Sequence, residues 1–171
     1  LLLLGVVGVG PAAQANHSSF ANGDLFVGIG SNKVEWRHPD GTLNSTMRTS
    51  SSSPSTTGMA LDPEHRLYVT GYTSNSINRF NTSGQAIGTF GTGFNSHPEG
   101  IAFDTFGFAY VGQEGGNRDI LKLNPAGNVV ASYNVATEVK GSDRLDVASD
   151  QCTIFYTSQG KAVKRFDACA N

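Results

Sequence analysis

Charge is scarce in this sequence: Asp, Glu, Lys and Arg make up 15% of it, against about a quarter in an ordinary soluble domain. Basic and acidic residues nearly cancel, leaving a formal charge of -2. With no basic cluster interleaved with aromatics, this excludes nucleic acid and anionic membrane surfaces as partners drawn by charge. Cysteine is nearly missing, with two residues and neither a CxxC spacing nor a Cys/His cluster. No metal ligand set and no cofactor are therefore expected. Calcium loops of the Asp-x-Asp-x-Asp-Gly form and the Gly-x-Ser-x-Gly elbow of serine hydrolases are also missing. Gly28–Gly30 and Gly91–Gly93 lack the strand–turn–helix setting of a nucleotide loop. No stretch keeps a 3.6-residue apolar period, so little helix is expected.

The one apolar run, Leu1 to Gly10, is too short to cross a bilayer. It leads into Ala13-Gln14-Ala15, a small-x-small pattern typical of signal-peptidase cleavage. Residues 1–15 are thus expected to be a signal-peptide remnant, with Asn16 as mature N-terminus and no stable membrane span afterwards. Export implies a secreted, periplasmic or cell-surface location and an oxidising environment. Asn16, Asn44 and Asn81 begin glycosylation sequons.

What the chain has in abundance is glycine, 21 residues, and a repeat. Leu25–Val27, Leu67–Val69, Ala109–Val111 and Ile154–Tyr156 begin 42, 42 and 45 residues apart. Gly58–Asp62 (GMALD), Gly100–Asp104 (GIAFD) and, more loosely, Arg144–Ala148 precede three of them. Val34–Gly41, Ile77–Gly84, Ile120–Gly127 and Val163–Asp167 follow. Each unit reads as four short strands with period-two alternation, which is one propeller blade. The expected fold is all-β: a β-propeller of four-stranded antiparallel blades over 16–171, present as an incomplete arc of about three and a half blades. Such an arc, a fragment truncated at both ends, is expected to leave two blade faces unprotected and to be aggregation-prone alone. Ser50–Thr57 is expected to be a flexible loop between blades. Trp36 stands one place out of register with Phe80 and Leu123, which suggests a bulge. Asp62 and Asp104 recur after the first strand of a blade, where a carboxylate caps a turn.

The hairpin from Thr153 to Asp167 turns near Gly160, which places Cys152 opposite Cys169 at its open end. A disulfide is expected there, stabilising by roughly 3 kcal/mol on the chain-entropy model.

Strand alternation also says which loops share an end. The loops entering each blade carry Thr57, His97–Glu99 and Ser142–Arg144. Those between second and third strands carry Ser31-Asn32, Thr73–Asn75, Glu114–Asn117 and Gln159–Lys161. Both sets lie at the same end, and the entering loops sit nearest the axis, where propellers commonly hold ligands. His97, Glu99, Asp143, Arg144, Glu114 and Asn117 are the candidate binding residues. Four of them also have a plain structural role open to them: Glu99 in a turn, His97 in a solvated loop, and Asp143 and Arg144 pairing with each other.

The stretch Pro98–Asp104 (PEGIAFD), with Tyr110–Gly112 and Ile120–Asn124, resembles the NHL repeat. The likeness covers about residues 20–171 and extends to the six-bladed TolB-like group that includes gluconolactonase-like and strictosidine-synthase-like families. The Gly-His and Trp-Asp signatures of WD repeats are missing. The resemblance implies an exported scaffold that binds a protein, glycan or small molecule, with no assigned catalytic residue. The alternatives it implies are a hydrolase or lactonase of the gluconolactonase kind, the one reading with a divalent metal, held by a Glu, an Asn and an Asp, and a propeller lyase using a His and a Glu from late blades. No residue here matches the lactonase set, because Glu99-Gly100-Ile101 lies at the second blade junction.

Overall fold

The computed structural model describes residues 16–49 and 55–170. These form fourteen strands and no helix: β1 (Leu25–Gly28), β2 (Lys33–Arg37), β3 (Leu43–Arg48), β4 (Thr56–Leu61), β5 (Leu67–Gly71), β6 (Ser76–Phe80), β7 (Ala86–Thr89), β8 (Pro98–Phe103), β9 (Ala109–Gln113), β10 (Ile120–Leu123), β11 (Val129–Tyr133), β12 (Leu145–Val147), β13 (Thr153–Tyr156) and β14 (Lys164–Asp167). They pair antiparallel in chain order into four sheets: β1–β3, β4–β7, β8–β11 and β12–β14. The fold is thus a β-propeller in an incomplete arc, with two four-stranded blades flanked by two sheets of three strands. The signal-peptide expectation and most of the Ser50–Thr57 loop lie outside the described residues.

Turn chemistry explains the strand lengths. Asp62 Oδ1 accepts the N–H groups of Glu64 and Arg66, and Asp104 Oδ1 those of Phe106 and Phe108, as capping carboxylates should. Asn81 and Asn124 repeat that grip in the next turn of each blade. In the first sheet His38 stands at that place. Its backbone makes the same turn, but Asp40 supplies the side-chain oxygen, to Thr42.

The core is serial rather than central. Leu67 and Val69 face the first sheet and pack with Val34, Trp36 and Met47. Tyr68, between them in sequence, faces the third sheet and packs with Ile101, Ala109 and Val111. Tyr110 points on to the fourth, among Ile154 and Tyr156. Period-two alternation therefore gives each blade one face for each neighbour.

One expectation needs correction. Thr57, Pro98 and Glu99 lie in strands, not loops, because bulges at Thr56/Met59 and Pro98/Gly100 carry the ladders past the glycines where alternation breaks. The bulge after Trp36 is real but not peculiar to it, since β6 and β10 slip at the same place.

Cys152 and Cys169 are bonded, with Cα atoms 5.2 Å apart, because Thr153 pairs with Asp167 just inside them. Asn44 is 7% exposed, and its amide grips the backbone of His17, so this sequon presents no free acceptor.

Candidate functional site

The innermost strands set the geometry. β4, β8 and β12 lie side by side around the axis, and glycine allows their approach. A Cβ at Gly58 would stand 2.2 Å from Glu99 O, and one at Gly100 2.1 Å from Asp143 O. Thr70 Oγ1 reinforces the seam by donating to Glu99 O at 3.1 Å. The first residues of these inner strands, and those just before them, are thereby drawn together at one end.

Glu114 is the anchor of that end. It is 5% exposed and joins residues of three blades. It accepts the Tyr72 hydroxyl at 2.6 Å, pairs with Lys140 Nζ at 2.8 Å and has His97 Nδ1 at 3.5 Å. The hydrogen bonds from Lys140 and Tyr72 hold its carboxyl below the usual range. The same bond pushes the Tyr72 phenol up to about 12, since losing its proton would place two negative charges together. The His97 ring stacks on Tyr72 with centroids 4.2 Å apart, and its backbone N–H donates to Asn75 Oδ1 at 2.6 Å. His97 adopts φ 52, a left-handed conformation that turns the chain into β8.

Glu99 and Asp143 behave oppositely. Burial raises the Glu99 carboxyl, and the nearby charge of Asp143 raises it further. Burial raises Asp143 too, against a lowering hydrogen bond from the Gln159 backbone. Glu99 Oε2 and Asp143 Oδ1 are buried with no hydrogen-bond partner. Buried polar atoms are normally satisfied, so two orphaned carboxyl oxygens in one region mark a place where a ligand's polar groups fit.

Arg144 is exposed and forms no ion pair with Asp143; its guanidinium reaches across the arc to the carbonyl of Thr57, 87 residues away. It borders an open concavity of about 390 Å³ on the inner side of the arc, with Phe26, Met59 and Leu61. Asn117 is exposed and shapes its own loop, donating to Asp119 Oδ2 at 2.8 Å.

The fold thus gathers His97 with Glu114, and Glu99 with Asp143, and sets Asn117 apart in its turn. Sequence reasoning missed Tyr72 and Lys140. Tyr72 adjoins the Thr73–Asn75 loop already assigned to this end, a signal that could have found it; Lys140 follows from no local pattern. Among the described residues, one group of His, Cys, Asp or Glu has donor atoms near enough to hold an ion: His17, Asp24 and His38, flanking the strands of the first sheet and away from this end.

No family model matches the chain, and no curated protein matches it in sequence. Solved structures do match in shape. A streptogramin B lyase superposes with a TM-score of 0.68 at 14% identity, covering 90% of this chain and 54% of its own. Virginiamycin B lyase from Staphylococcus aureus gives 0.60 at 16%, covering 80% and 49%. Hydrazine synthase from Kuenenia stuttgartiensis gives 0.69 at 18%, covering 97% and 50%. The chain spans about half the length of these proteins, and at such identities the shared property is the propeller-type fold.

Proposed function

We propose that this chain is part of an exported, NHL-like, six-bladed propeller that binds a ligand at the end where its inner strands converge. The observation that carries the reading is the pair of buried, unpartnered oxygens on Glu99 and Asp143 beside the Glu114 network. A partner rich in hydrogen-bond donors, such as a glycan, an amine or a basic protein loop, satisfies both. The Tyr72–Glu114–Lys140 network is already formed without a ligand and supplies a floor to the site, which lowers the ordering cost of binding. The disulfide fits an exported chain. The test is a glycan array and a thermal-shift screen of amines, followed by titration of the hits. The double variant Glu99→Gln, Arg144→Ala should lose at least tenfold in affinity. Equal affinity in the variant would remove the site from this end.

A lyase is the second reading, favoured by the raised carboxyl of Glu99, suited to a general base, in a fold shared with two solved lyases. Incubation with a streptogramin B antibiotic, followed by chromatography and mass spectrometry, separates the two. Conversion that Glu99→Gln abolishes supports the lyase; an unchanged antibiotic with intact glycan or amine binding supports the scaffold.

A further inference from the structure

His38 is buried on the far side of the molecule from the end where the inner strands converge, with no polar partner for its ring. It is 1% exposed, and both its ring nitrogens are buried without a hydrogen-bond partner. A neutral imidazole carries one donor and one acceptor, and burying both unused is unfavourable. The repeat makes the oddity sharper. At the same position in the next two blades stand Asn81 and Asn124, whose side chains close their turns. In the first sheet Asp40 closes the turn, so the His38 side chain is released from that work.

Its surroundings show what it faces. One donor atom each from His17, Asp24 and His38 lie within 4.8 Å of one another. His17 Nδ1 is 3.1 Å from Asp24 Oδ1, and the His17 and His38 rings meet edge to face with centroids 4.6 Å apart. The two groups around His38 are held from outside. Asp24 Oδ2 accepts Trp36 Nε1 at 2.7 Å and the Ala21 N–H at 2.8 Å, which turns Oδ1 toward His17. The Asn44 amide bonds both the N–H and the carbonyl of His17. Such outer hydrogen bonds, fixing the orientation of ligating groups, are characteristic of built metal sites. The Asp24 side chain is 1% exposed and that of His17 29%, so the His17 side is the way in.

We propose that His17, Asp24 and His38 form a binding site for a divalent first-row transition ion of the zinc class. Two imidazoles and one carboxylate select zinc, cobalt, nickel or copper over calcium and magnesium, which prefer all-oxygen shells. Zinc–ligand distances of about 2.0–2.1 Å require each donor to draw inward by about an ångström or less. A fourth position, on the His17 side, is left for water. The ion ties the segment 16–24, which otherwise reaches the body through contacts such as the Phe20 N–H to Thr82 O bond, onto the first sheet.

The test uses the intact exported chain, produced without a histidine tag and dialysed against chelator, with ZnCl2 and CoCl2 as probes. Calorimetry should show one equivalent of zinc bound by His17, Asp24 and His38. Co(II) should develop visible d–d absorption, and zinc should raise Tm. The decisive variant is His38→Asn, which installs the residue the sister blades carry and so preserves the turn. It should keep the Tm of the metal-free chain and lose at least a hundredfold in zinc affinity. His65→Asn, which alters a histidine beside Phe20–Asn22 that is none of the three donors, should bind as the unaltered chain does. Absence of one-to-one uptake, equal uptake by His38→Asn, or loss of uptake in His65→Asn would each overturn the assignment.

Discussion

Leu67 and Leu25 hold the same place in successive repeats, as do Val69 and Val27, yet their surroundings differ. Leu67 and Val69 are 1% and 0% exposed, whereas Leu25 and Val27 are 46% and 40% exposed. The other end mirrors this: Tyr68 and Tyr110 are each 1% exposed, while Phe155, their counterpart, is 43% exposed. Alternation along a strand decides which side a residue faces. Only an adjacent sheet decides whether that side is buried, so the two central blades are stabilised on both faces and the flanking sheets on one.

That contrast can be broken or sharpened by mutation. The largest effect is expected from Tyr68→Ala, which empties the seam between the second and third sheets and also removes the hydroxyl bond to Asp62, at about 3–5 kcal/mol. The matched Phe155→Ala should cost about 1 kcal/mol or less. Urea unfolding of the pair checks the difference, and equal losses would contradict the one-sided burial of the last sheet. Next comes the disulfide. Replacing Cys152 and Cys169 by serine should cost about 3 kcal/mol, and the loss should fall on the last sheet, read as faster hydrogen exchange in β13 and β14.

The inner strands offer a third comparison. Gly100→Ala drives a Cβ against the Asp143 carbonyl, a backbone atom that cannot swing away, so the seam must open at about 1–3 kcal/mol. Arg144 occupies the corresponding place in the fourth sheet and is exposed, so Arg144→Ala should change stability by about 0.5 kcal/mol or less. A thermal melt separates these outcomes.

The acids at the converging end predict opposite pH slopes. Glu114 is held below its ordinary 4.5, so the unfolded chain binds its proton first as pH falls. Its contribution is full above about 4.5 and is lost as pH falls through the lowered value. Glu99 is raised above 4.5 and Asp143 above 3.8, so in these windows the folded chain holds the extra protons. Their ionisation makes stability fall as pH rises from the ordinary value to the raised one. Glu114→Gln should therefore flatten the acid-side rise, and Glu99→Gln the fall above 4.5, in unfolding free energies measured across pH. The smallest stability effect is expected for Val27→Lys on the exposed face of β1. It should leave Tm nearly unchanged while reducing light scattering at high concentration, because it interrupts an apolar edge open to self-association.

Much of this was legible from residues alone, for reasons of range. The 42-residue spacing, the Asp62 and Asp104 turns and the pairing of Cys152 with Cys169 depend on residues close in sequence or opposite on one hairpin. The true starts of β4 and β8 were not legible, because a bulge interrupts the alternation that marks a strand. The six candidate residues were placed at one end by strand direction, but strand direction says nothing of distance. Hence Asn117 stays in its own turn, while Tyr72 and Lys140, from different blades, close on Glu114.

By itself, the sequence determined the blade, its period, its turn chemistry and its cross-hairpin disulfide, since backbone geometry and ladder register transmit these locally. Tertiary structure alone decided which apolar faces are buried, which acids rise or fall in pKa, and that His17 and His38 meet at Asp24. Those outcomes depend on how closely one sheet packs on the next, a distance that no repeat period encodes.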